Sequence, residues 1–248
     1  FPTMPSKHAL LSPSASDKWT VCPGMPKLAS QVPYTTSIPA VTGTLVHQMS
    51  EILMKGHLDG DISLEDYWLG KVEMVEDFEI EIDQEMIDCA KIYTDYVEAR
   101  TKELNGKLLI EEQVSMEEIS ENIWGTADAI ILSEGRICVI DLKSGRWQVS
   151  PEYNKQLMIY GLGALTRYGN AETIMELTIV QPRGVKKERA VKTWETTGEN
   201  LANWGFDFLK PRADACMDEN PKYVFGDHCK FCNGRSLCET FKLNTGEK

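Results

Sequence analysis

Residues Gly125 to Gly145, GTADAIILSEGRICVIDLKSG, decide how this chain folds. They read as two apolar strands joined by a tight turn. Glu134-Gly135 forms the tip, with the glycine where a positive φ is needed. With those two residues as the loop, Ser133 pairs with Arg136, and counting back along the ladder sets Asp128 directly opposite Asp141. Directly opposed residues of an antiparallel pair share a face, with Cβ atoms roughly 4.5–5.5 Å apart. Lys143 shares that face with Asp141 because the strand period is two. Two carboxylates and an ammonium therefore converge at one end of a hairpin. Like charges opposite one another are destabilising, so the pair calls for a cation between its members.

Two carboxylates and a backbone carbonyl, here that of Leu142, can hold a hard divalent ion such as Mg²⁺ or Mn²⁺ with water positions left open. Such an ion lowers the pKa of a bound water and stabilises charge developing on a phosphodiester. Lys143 stands where it can orient the water or the phosphate. Taken alone, Asp141-Leu142-Lys143 also reads as an ordinary ion pair on a surface hairpin.

A chain of 248 residues suits one α/β domain with a substantial core. Apolar content of 42% and charged content of 26% are those of a globular protein, and no run approaches a membrane span. Phe1–Thr3 reads as a remnant ahead of a native Met4, without the apolar run of a signal peptide. A net charge of −12 excludes a generally basic nucleic-acid binder. It leaves room for an enzyme that confines positive charge to one groove.

Of the seven cysteines, Cys229, Cys232 and Cys238 cluster near the C-terminus, while Cys22 lies far upstream in Trp19-Thr-Val-Cys22-Pro23-Gly24. Cys89, Cys138 and Cys216 sit in apolar contexts and read as buried thiols. Four thiolates with a C-x2-C pair complete either a zinc site or an iron–sulfur cluster, and spacing alone leaves both open.

Gly125-Thr-Ala-Asp128 followed by Asp141-x-Lys143 resembles the RecB-like form of the PD-(D/E)xK nuclease core. Other residues extend the likeness from about His8 to Phe241, closest to phage- and prophage-borne stand-alone nucleases. His47, in Gly-Thr-x-x-His-x-x-x-Glu, matches a histidine that joins the metal site in such nucleases, and Glu51 lies one turn further on. Gln156-Leu-Met-Ile-Tyr160 matches their Gln-x-x-x-Tyr, whose Gln lies near the active centre and whose Tyr lies near DNA. Cys22, Cys229, Cys232 and Cys238 match the AddB-type bracket of one cysteine before the core and three after it, which holds a 4Fe–4S cluster. The second acid is Asp141, where many relatives have Glu.

The resemblance implies an α/β fold with a mixed central sheet flanked by helices, and an iron–sulfur staple joining the N- and C-terminal segments. One nuclease domain would span 1–248: an N-terminal segment 1–41, a core 42–220 and a cysteine-rich tail 221–248. It implies a metal-dependent deoxyribonuclease, most of all an exonuclease, processing DNA ends in recombination or phage replication within the host cytoplasm. DNA would be the substrate, single-stranded or as duplex ends, and a single-strand annealing or recombination protein a partner. His47, Asp128, Asp141 and the Leu142 carbonyl would bind Mg²⁺ or Mn²⁺. Lys143 and Gln156 would serve catalysis. Tyr160, Ser144, Arg146, Trp147 and Arg183 would meet DNA, with Lys155, Lys186, Lys187 and Arg189 adding positive charge. A catalytically idle DNA-binding or assembly module and a zinc-stapled nuclease are the alternatives. No phosphate loop of the G-x-x-x-x-G-K type is present, so the chain is not itself a helicase.

Around this centre the pattern predicts a short helix entered at Ser12–Ser16 and stopped by Pro23-Gly24, and an amphipathic helix from Gly43 to near Gly56. An edge strand follows at Phe78–Ile82, then a long helix capped by Asp83 and ended by Asn105-Gly106. Leu108–Met116 reads as the first core strand. After the hairpin come a helix capped by Ser150 and ending at Tyr168, strands at Ile174–Val180 and Arg189–Trp194, and a helix from Gly198 to about Glu219, kinked at Pro211. Glu111 and Glu112 precede the hairpin on a strand; one must face Asp128, and alternation does not say which.

Overall fold

The structure is a computed structural model that describes residues 9–33, 35–56, 62–183 and 189–246. In chain order its elements are α1 (Ser16–Trp19), α2 (Met25–Ala29), α3 (Ile38–Met54), α4 (Leu64–Trp68), β1 (Val72–Val75), β2 (Phe78–Glu81) and α5 (Gln84–Glu103). Then follow β3 (Lys107–Ser115), β4 (Trp124–Ser133), β5 (Arg136–Leu142), α6 (Lys155–Tyr168), β6 (Ile174–Val180) and β7 (Val191–Thr197). The chain closes with α7 (Gly198–Trp204), α8 (Lys210–Cys216) and α9 (Glu239–Thr245).

Strands β3 to β7 form one sheet in sequence order. All neighbours are antiparallel except β5 and β6, which run parallel because α6 carries the chain back across the sheet. The sheet is thus mixed and flanked by helices, as expected. The hairpin register also holds: Ser133 pairs with Arg136, and Gly135 takes φ +67° at the turn. Alternation along β5 sends Ile137 and Val139 to one core and Cys138, Ile140 and Leu142 to the other. The first core gathers Leu157, Ile159 and Leu162 of α6 with Leu201; the second gathers Val41, Val46 and Met49 of α3 with Met86, Ala90 and Tyr93 of α5.

Several predicted boundaries shift. Helix α3 begins at Ile38 rather than Gly43, since Ser37 is extended and Pro39 supplies a φ suited to a first turn. Helix α6 starts at Lys155: Ser150-Pro151 makes a turn, and Asn154 caps instead, its side chain accepting from Leu157 N at 3.1 Å. The edge strand is half of a separate β1–β2 hairpin. The last long helix is interrupted before Pro211 by a π turn, Gly205–Leu209, and ends at Cys216. A proline lacks the N–H that a continuous ladder needs, and a widened turn accommodates that loss. Asp83 does cap α5, accepting from Met86 N at 2.8 Å, and Asn105 ends it at φ +47°.

A buried ion network braces the sheet near the start of β5 and β6. Glu176 of β6, 2% exposed, is held by Arg100 of α5 at 2.5 Å and by Arg136 of β5 at 2.7 Å.

Candidate metal centre

At the end of the β4–β5 ladder the regular pairing stops at Ala129 and Ile140, one step short of Asp128 and Asp141. On the other side, Ile110 pairs with Ala129 and Glu112 with Ala127, while Glu111 and Asp128 between them are unpaired. Glu111 has φ +51°, a strained value for a residue with a Cβ. The pleat reverses there. Leu108 and Val114, six apart on β3, face opposite cores, and Ala127 and Ile130, three apart on β4, face the same one. The opposition of Asp128 and Asp141 expected from a regular ladder is therefore replaced by a tighter arrangement. Asp128 Oδ2 accepts a hydrogen bond from Leu142 N at 2.7 Å, which bridges the gap the ladder leaves.

The acids converge. His47 Nδ1 of α3 lies 3.3 Å from Asp128 Oδ1, and His47, Glu111 and Asp128 offer ligand atoms all within 4.8 Å of one another. Lys143 Nζ lies 2.8 Å from Asp141 Oδ2. It also donates to Gln156 Oε1 at 2.7 Å, and Gln156 Nε2 is 3.4 Å from Tyr160 Oη. Asp141 is 3% exposed, and its Oδ2, although near the ammonium, has no properly aligned hydrogen bond among the described residues. Asp141 Oδ2 already faces the Lys143 ammonium, and the mixture of hard oxygens with one imidazole at His47, Glu111 and Asp128 is the donor set that suits a divalent cation.

The charges bear on each other accordingly. Burial pushes the Asp141 carboxyl above its usual range; Lys143 opposes this and Asp128 adds to it. Burial acts on Asp128 too, but His47, the Leu142 N–H and Lys143 outweigh it and hold this carboxyl low. Burial alone would lower the His47 pKa, yet the charge and hydrogen bond of Asp128, with Asp141 and Glu111, carry it to about 9. Burial and then Asp128 push the Glu111 carboxyl up to about 7. With every group ionised, the three carboxylates of Asp128, Asp141 and Glu111 face two cations, His47 and Lys143.

Glu112 turns away to Arg167 and Tyr168, each at 2.9 Å, and Glu51 pairs with Lys55 at 2.5 Å. Tyr160 is buried in the core and meets the centre through Gln156, so its ring is not the exposed DNA contact that the resemblance implied. Lys155 pairs with Asp17 at 2.6 Å. Lys186 and Lys187 lie outside the described residues. Ser144, Arg146 and Trp147, which follow Lys143 in sequence, line one groove together with Arg183.

Two residues near the centre had no sequence signal of their own. Glu111 could not be told from Glu112, because the pleat reversal is a backbone event. Tyr93 of α5 reads only as a core position in a helical stripe. Its hydroxyl is buried without a partner among the described residues, and burial followed by the charges of Asp128, Asp141 and Glu111 raises its pKa.

The four bracketing cysteines also come together. Burial raises the Cys22 thiol, with Cys238 and Cys229 adding to it; Cys232 is raised by burial and by Cys22, Cys229 and Cys238. Val224 N donates to Cys22 Sγ at 3.4 Å, and Gly24 N to Lys222 O at 3.0 Å, which ties the N-terminal segment to the tail. Gly24 is required there, since a Cβ would lie 2.2 Å from the Tyr223 ring. All four thiols are free.

Two solved structures overlap the chain loosely. The crystal structure of SSO0001 shares 15% identity at a TM-score of 0.32, over 60% of this chain and 67% of that one. An alkaline exonuclease from Laribacter hongkongensis, LHK-Exo, shares 11% identity at a TM-score of 0.31, over 81% and 94%. Overlap this loose leaves the chemistry to the residues themselves. The model of a family described as protein of unknown function, DUF2800, matches residues 8–245, and the chain belongs to that family.

Proposed function

We propose that the chain is a metal-dependent DNA nuclease, acting as an exonuclease. The observation that carries this reading is the meeting of Asp128, Asp141 and Lys143 at one strand end, with His47 and Glu111 on one side and Gln156 on the other. Asp128, Asp141, His47 and the Leu142 carbonyl would hold Mg²⁺ or Mn²⁺, with Glu111 added to that set by its position. When bound, the ion supplies a water of lowered pKa and a counter-charge for the phosphodiester. Lys143, steadied by Gln156, orients the attacking water or a phosphate oxygen, and Tyr160 holds Gln156 in place. Ser144, Arg146, Trp147 and Arg183 line the approach for DNA. No described helix is long and apolar enough to cross a membrane.

Cys22, Cys229, Cys232 and Cys238 would bind a 4Fe–4S cluster that staples the two ends of the chain. The resemblance to a bracket of one cysteine before the core and three after it favours the cluster, and zinc is the alternative. Iron and acid-labile sulfide in the purified protein would support the cluster, and stoichiometric zinc would replace it with the other metal. For the nuclease, end-labelled single- and double-stranded DNA is incubated with Mn²⁺, Mg²⁺ or EDTA. Degradation that requires the metal and releases label from the ends is expected; equal loss of substrate in EDTA, or none at all, contradicts the reading.

A further inference from the structure

We propose, resting on the nuclease reading above, that the groove beside the metal centre admits one nucleic-acid strand and excludes duplex, and that Glu85 holds the place of a backbone phosphate until that strand arrives. The groove, about 610 Å³, is lined in part by Ser144, Arg146, Trp147 and Arg183. That volume suits a nucleotide-sized ligand. Arg146 Nη2 reaches both carboxylate oxygens of Glu85, at 3.1 and 2.9 Å, and Arg183 Nη2 reaches the second of them at 2.7 Å. Two guanidinium groups converging on one carboxylate form the donor set that the paired oxygens of a phosphodiester accept. Glu85 and Arg146 are 39% and 67% exposed, so water competes for their contact and the carboxylate is readily displaced. Arg183 Nε, buried and without a partner among the described residues, adds a spare donor.

Trp147 is 92% exposed, yet the loop bearing it is firmly braced. The buried Gln181 donates to Gly145 O at 2.8 Å and Trp147 O at 2.7 Å, and accepts from Val149 N at 2.9 Å. A rigidly presented, uncovered indole beside two arginines is a stacking surface for an unpaired base. Glu79, Glu81 and Asp83 line the same groove. A groove that sets two arginines beside three carboxylates seats a single phosphate backbone and repels a second, which selects a single strand.

Binding is measured in EDTA, so that affinity is read without cleavage, by anisotropy of labelled oligothymidylate and of a duplex of equal length. The single strand should bind at least about tenfold tighter than the duplex. Trp147→Ala should weaken it by about tenfold, the loss of one stacked base. Glu85→Gln should tighten it about threefold or more and steepen the salt dependence, because the arginines are freed for phosphate. Glu85→Asp, with a shorter arm, should fall between. Equal affinity for duplex, an unchanged Trp147→Ala affinity, or weaker binding by Glu85→Gln at an unchanged melting temperature would overturn the proposal. Selective binding without Mn²⁺-dependent cleavage would sink the nuclease reading and leave the groove standing. Cleavage with none of these binding effects would do the reverse.

Discussion

Lys143 Nζ donates to Gln156 Oε1 at 2.7 Å while lying 2.8 Å from Asp141 Oδ2, so one ammonium is fixed between the end of β5 and the first turn of α6. Gln156 restrains the lysine without sharing its charge. Removing the lysine should cost far more than removing its support. Lys143→Ala is expected to lower the DNA degradation rate by about 10³-fold, and Gln156→Ala by about tenfold, in line with the loss of a charged and of a positioning group. Single-turnover rates in Mn²⁺ check this. Equal losses for the two variants would show that Gln156 acts in its own right.

The His47–Asp128 pair makes the metal-free protein sensitive to alkali. Its folded pKa of about 9 lies above the ordinary 6.5, so its stabilisation is complete below about pH 6.5 and is lost as pH rises through about 9. Glu111, pushed up to about 7 from 4.5, adds a penalty that grows between those values. In EDTA the melting temperature should therefore fall from about pH 5 to about pH 9. Ligation needs a neutral imidazole, so Mn²⁺ should raise the melting temperature more at higher pH, and His47→Gln should flatten that trend. A Mn²⁺ effect independent of pH would remove His47 from the ligand set.

Tyr93 separates stability from metal affinity. A buried hydroxyl without a partner costs about 1–3 kcal/mol. Tyr93→Phe should thus leave the metal-free protein as stable or more so. If the hydroxyl meets a metal-bound group, the same change should weaken Mn²⁺ binding severalfold by calorimetry. A destabilised variant with unchanged Mn²⁺ affinity would point to a protein partner instead.

The cysteine site should hold the two ends of the chain together. Cys232→Ser is expected to lose the bound metal, lower the melting temperature, and open the segment around α1 and α2 to limited proteolysis. Intact resistance after loss of metal would mean that contacts such as Lys27 Nζ to Glu219 O, at 2.7 Å, suffice alone.

Glu176 offers a contrast remote from the centre. Glu176→Ala removes the buried carboxylate shared by two guanidinium groups, which keep Glu103 and Glu195 as partners, and should destabilise by about 1–3 kcal/mol in a urea melt. Mn²⁺ affinity should stay unchanged, and a large shift in it would tie the network to the site.

The sequence was most legible where local chemistry dictates structure: the Gly135 turn, the Asp83 cap, and the alternation that fixes the register of β4 and β5. It was least legible where the backbone departs from its period. The reversal at Glu111 follows from no residue preference, so neither the choice between Glu111 and Glu112 nor the Asp128–Leu142 hydrogen bond could be read in advance. Ser150-Pro151 resembles a helix start closely, and only the strained Tyr153, at φ +53°, shows that the chain turns once more before Asn154. Glu85 carries no sequence signal of its own, since its two arginine partners lie 61 and 98 residues away.

The central claim, that Asp128 and Asp141 share a divalent ion that cleaves DNA, is tested most directly by Asp141→Asn, which keeps the shape of the side chain and removes its charge. The account predicts a protein that melts at or above the wild-type temperature in EDTA, binds Mn²⁺ weakly, and degrades end-labelled DNA about 10³-fold more slowly. A variant that cleaves at the wild-type rate, or wild-type protein that never cleaves DNA with Mn²⁺ bound, would contradict it.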